Sequence, residues 1–133
     1  MKYIKKYEDL KQISPNISKK KITENQLTDL LKSIGKDDDF IKYGNKYGRK
    51  DYICDTFDEY TLTHGFCNPL AYYIKDRYLD ISVYSAKNDI DGNHLFIKFK
   101  NKYYDGSNVY GVDNPADLNF YTDKNITIKL LEK

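Results

Sequence analysis

Two cysteines, Cys54 and Cys67, and two histidines, His64 and His94, are the residues of this 133-residue chain best suited to nucleophilic, proton-transfer or metal chemistry. Cys67 stands in HGFCNPLAYYI, residues 64–74, where an apolar run with helical spacing begins. A helix start carries unpaired backbone N–H groups and the positive end of the macrodipole, a setting that favours a thiolate. The same N–H groups can meet an oxyanion. His94 opens the alternating segment HLFIKFK, directly after a Gly-Asn turn. Asp105 closes the following segment, in KYYDGSN. A hairpin of the two segments returns Asp105 to the side of His94. There a carboxylate can hold the imidazole in one tautomer, and the imidazole can take the thiol proton. Singly, each residue has an ordinary explanation: a cysteine fills small core spaces, and an aspartate before glycine makes turns. The signal lies in the combination.

Other constellations compete. Cys54, His64, Cys67 and His94 together form a Cys₂His₂ set, but Cys54-x₉-His64-x₂-Cys67 lacks the tight Cys-x₂-Cys knuckle of common zinc sites. We expect no metal and no cofactor. The stretch KNDIDGNHLFIK fails as a calcium loop, because Lys87 and Lys98 fall where acidic ligands belong. YGNKYGRKDY has glycines but no phosphate-loop pattern.

The elements that must position these residues follow from periodicity. Tyr3, Ile4, Tyr7, Leu10 and Ile13 have helical spacing, ended by Pro15. ITENQLTDLLKSIG predicts a second helix. Thr23 and Gln26 form its capping box, Leu27, Leu30, Leu31 and Ile34 its buried stripe, and Gly35 follows its end. KDDDFIKYGNKYGRKD reads as a charged connector around a short apolar piece. LAYYIKDRYL predicts a helix with Leu70, Ile74 and Tyr78 on one face. Asn68 suits its N-cap and Pro69 its first turn, which starts that helix one residue after Cys67. DISVYSA, HLFIKFK and NITIKLLE predict strands, with NK as a two-residue turn after HLFIKFK and a short helix opening at Pro115. Helices followed by strands imply an α+β fold with an antiparallel sheet. One domain over 1–133 is expected: a helical, basic N-terminal cap over 1–50 and an α+β core over 51–133.

Composition limits the partners. Hydrophobic residues at 40% and charged residues at 32% suit a soluble chain. No apolar run is long enough to cross a membrane, and MKYIKKYEDL is not a secretory signal. Two cysteines make no disulfide framework, so a reducing cytoplasm is the expected setting. Residues 1–50 hold 13 Lys and Arg against 7 Asp and Glu, a net of +6; residues 51–133 hold 9 against 13, a net of −4. The basic part suits an acidic protein partner. Its interleaved Tyr3, Tyr7, Tyr43 and Tyr47 leave nucleic acid open as a second class.

The order GFCNPLAYYI…NHLFIKFKNKYYDGSNVYG resembles papain-like cysteine proteins, in particular small bacterial and phage members, over roughly residues 57–120. The resemblance implies a helix bearing the cysteine packed on an antiparallel sheet that bears the other two residues. It implies Cys67 as nucleophile, His94 as general base and acid, and Asp105 as the orienting carboxylate. His64, Asn68 or a backbone amide are the oxyanion candidates. The implied activity is hydrolysis or acyl transfer at a peptide, isopeptide or glutamine amide. The alternative is a non-catalytic protein on the same fold that blocks a host protein or nucleic acid.

Overall fold

The computed structural model describes residues 18–48 and 53–133; the expected helix over residues 3–13 lies outside them. The described residues form an α+β structure of four α-helices and a four-stranded antiparallel sheet. The helices are α1 (Glu24–Ser33), α2 (Asp38–Tyr47), α3 (Glu59–His64) and α4 (Cys67–Arg77). The strands are β1 (Ile81–Asn88), β2 (Gly92–Phe99), β3 (Lys102–Tyr104) and β4 (Thr127–Glu132), in the order β3-β2-β1-β4.

Helix α1 begins as expected. Thr23 Oγ1 accepts from the Gln26 backbone N–H, and Gln26 Oε1 accepts from that of Thr23. It ends earlier than expected, at Ser33, and a 3-10 turn over Ile34–Lys36 follows. Gly35 is not needed there for a left-handed cap. A Cβ on it would lie 1.9 Å from the Phe57 carbonyl oxygen, so the glycine lets the Phe57 backbone run alongside, where the Phe57 N–H donates to the Gly35 carbonyl.

The expected connector after residue 36 is largely helix α2. Asp37 caps it, accepting from the Phe40 N–H, and Phe40, Tyr43 and Tyr47 give it a buried stripe at helical spacing. The charged residues that suggested a connector form its exposed side. Tyr43 and Tyr47 are therefore core residues rather than a stacking surface.

Helix α4 lies at the centre, between α2 and the sheet. Leu70, Ala71, Tyr72, Tyr73 and Ile74 are all buried, which is why its sequence lacks a clean one-faced pattern. Phe40 and Tyr43 both meet the Tyr73 ring edge-on at 5.1 Å between centroids. One apolar cluster joins Leu27, Leu31 and Phe40 to Ile74, Ile97 and Phe99, so helices and sheet share a core. A smaller cluster of Ala86, Phe96, Leu118 and Tyr121 covers part of the opposite sheet face. Both faces of β2 are thus buried: Leu95, Ile97 and Phe99 toward the helices, Phe96 away from them. Among the described residues no helix is long and apolar enough to cross a membrane.

Candidate active site

Cys67 is the first residue of α4. The Leu70 N–H donates to the Phe66 carbonyl, which makes Phe66, not Asn68, the N-cap. The expectation that the helix starts after Cys67 is therefore corrected. Pro69 sits within the first turn, where its missing N–H costs no helical bond. Cys67 is half-buried, and its thiol donates to Asn68 Oδ1 at 3.4 Å. The Cys67 and Asn68 N–H groups belong to the first turn, which has no intrahelical acceptor for them.

The β2–β3 hairpin positions the other two residues. Its loop is Lys100–Asn101, with Lys100 at φ 55° and Phe99 paired with Lys102. The expected loop lay one residue later. That placement would set Asp105 opposite Lys98, about 7 Å further along the strand from His94. In the actual register Ile97 faces Tyr104, so the next step sets Asp105 opposite Phe96, on His94's face and diagonal to it.

His94 Nε2 lies 2.8 Å from Asp105 Oδ2, both side chains buried. An ionised carboxylate only accepts, so Nε2 carries the proton. The other carboxylate oxygen accepts from the Ser107 N–H at 3.0 Å, the Ser107 hydroxyl at 3.1 Å and the Asn108 N–H at 2.8 Å. Asp105 is thus fixed by the loop that follows it. Gly106 permits this loop's position: a Cβ there would come within 2.6 Å of Leu62 Cβ on α3.

The His94 ring is 0% exposed, and Phe120 stacks on it at 4.4 Å and 10°. Nδ1 has no hydrogen-bond partner among the described residues. Burial pushes the His94 pKa down. The hydrogen bond to Asp105, the nearness of the Cys67 thiol and the charges of both groups outweigh it, and the imidazole is raised to about 9. Nδ1 and Cys67 Sγ are close enough to couple, although the thiol's hydrogen bond is made to Asn68. The site therefore combines an imidazole held by a carboxylate with a thiol on its free side. That is the set of groups that thiol-based acyl transfer uses.

Of the sequence candidates, Cys67, His94 and Asp105 come together, and Asn68 joins them through the thiol. Among the described residues His64 makes no hydrogen bond or ring contact with these three. It closes α3 as an exposed residue, stacked on Tyr60 at 4.2 Å and near Phe120 at 5.4 Å. Cys54 stands apart, where Asn45 bonds both its backbone N–H and carbonyl. Burial, then Asp58 and Asp55, push the Cys54 thiol's pKa up. The zinc set does not converge: among the described residues no three His, Cys, Asp or Glu side chains are placed to hold a metal.

Phe120 and Ser107 were not evident from sequence. Phe120 lies in an irregular segment with no period to assign it a face. Ser107 carried a usable signal, since an Asp two residues before a Ser commonly accepts its N–H. The void behind Cys67 and Asp105, walled by Leu70, Ala71 and Ile97, is about 10 Å³, no more than one water can use. A cleft of about 240 Å³ beside α3 shares Phe120 with the His94 stack.

Comparison with protein-family models, curated proteins and solved structures gave no match.

Proposed function

We propose that the chain is a papain-like thiol hydrolase or acyl-transfer enzyme acting on a peptide, isopeptide or glutamine amide. The observation that carries this reading is His94: a fully buried imidazole, held by Asp105 through Nε2, with Nδ1 unpaired beside Cys67. Buried polar atoms are rarely left without a partner, and functional sites are where the exceptions collect.

In this mechanism the Cys67 sulfur, as thiolate beside the His94 imidazolium, attacks the carbonyl carbon of the amide. The carbonyl π electrons move to oxygen, and the oxyanion meets the N–H groups at the α4 N-terminus. Asn68, bonded to the thiol in the resting site, is the side-chain candidate to join them. Collapse expels the amine, which takes the proton from His94 Nδ1. The thioester is then opened by water, or by another nucleophile, whose proton His94 accepts. Asp105 holds the ring through both transfers.

The test is the rate of Cys67 alkylation by iodoacetamide against pH, with Cys54→Ser in the background, in the native chain and in His94→Ala. Fast alkylation below about pH 7 that is lost with His94 supports the reading. Identical pH profiles in the two proteins would sink it.

A further inference from the structure

The cleft beside α3 is lined by Glu59, Tyr60, Thr63, His64, Ser107, Asn119 and Phe120. Its volume, about 240 Å³, is below the roughly 300–1,000 Å³ of sites for drug-sized ligands and suits a single long side chain. Three rings, Tyr60, His64 and Phe120, form one wall, with Tyr60 and His64 stacked at 15°. Phe120 also stacks on His94, so the wall and the buried imidazole share one ring.

Among the described residues Glu59 is the one carboxylate that lines the cleft, and no Lys or Arg lines it; Asp58 lines the neighbouring cleft, together with Lys32 and Lys36. The Glu59 carboxylate has no ion pair or hydrogen bond among the described residues. Tyr60 is 70% exposed, much as Tyr110 is at 66%, and it lines the cleft with Glu59. An exposed aromatic face beside a free carboxylate suits a planar cation, which can stack on the ring and bond the carboxylate in one pose.

We propose that this cleft receives an arginine side chain of the substrate, next to the amide that Cys67 attacks. The proposal takes its functional meaning from the reading of Cys67 as nucleophile, but binding in the cleft requires no chemistry. The two can therefore fail separately.

The test uses the full chain carrying Cys67→Ala, titrated with N-acetyl-arginine amide and with its uncharged isostere N-acetyl-citrulline amide. Ring-proton NMR signals of Tyr60 and Phe120 report binding. The arginine compound should shift both rings to saturation, and the citrulline compound should bind clearly more weakly. Glu59→Gln should weaken arginine binding by roughly fivefold, the upper range for an exposed ion pair. Tyr60→Ala should weaken it by roughly threefold, as expected for an exposed cation–π contact. Equal binding of the two compounds, no binding of either, or arginine binding unchanged in Glu59→Gln would overturn the proposal. Cys67 alkylation that ignores His94 would overturn the catalytic reading and leave the cleft result standing.

Discussion

Replacing Asp105 with Asn removes one negative charge and almost no volume. The Asn amide oxygen can keep the bonds from Ser107 and Asn108. The amide NH₂ then faces His94 Nε2, which must act as an acceptor, so the ring is held neutral. In the native chain the His94 pKa is raised from 6.5 to about 9 by Asp105 and Cys67 against the effect of burial. A raised folded-state value stabilises the fold fully below the unfolded value and loses that contribution as pH rises through the folded one. The gap from 6.5 to about 9 corresponds to about 3 kcal/mol, present at about pH 6 and gone by about pH 10. Asp105→Asn should therefore cost about 2–3 kcal/mol near pH 6 and much less near pH 10. Urea unfolding followed by circular dichroism at both pH values measures the difference, and imidazole NMR reads the His94 titration itself. Native and variant curves offset by the same amount at both pH values would refute the argument, as would an unmoved His94 titration.

Two further outcomes follow from the packing. Gly106→Ala should destabilise the fold by about 1–3 kcal/mol, because its Cβ meets Leu62 Cβ at 2.6 Å and the α3 contact must open; an unchanged melting temperature would contradict that contact. Leu27→Ala, at a fully buried position on α1, should cost about 2–5 kcal/mol in one cooperative transition, since α1 shares the core of the sheet. A separate early transition would show instead that α1 folds apart from it.

Local chemistry in the sequence determined a good deal here. The Thr23–Gln26 capping box placed α1, because both partners lie within one turn of each other. Alternation placed β1 and β2, and turn residues joined them, because strand period and turn preference act over a few residues. The trio Cys67, His94 and Asp105 was legible because helix start, strand start and strand end are each local signals. Tertiary structure decided the rest. Helix α2 was hidden because its charges and glycine resembled a connector until a partner, the Tyr73 face of α4, was available to bury Phe40 and Tyr43. The hairpin register shifted by one loop residue, and that shift alone sets Asp105 opposite Phe96 rather than Lys98. Burying both faces of β2 specifies such a register, since a slip would misplace Phe96 and Ile97 against their two clusters. The stacking of Phe120 on His94, and the cleft it walls, join residues far apart in the chain; no local period encodes a contact of that range.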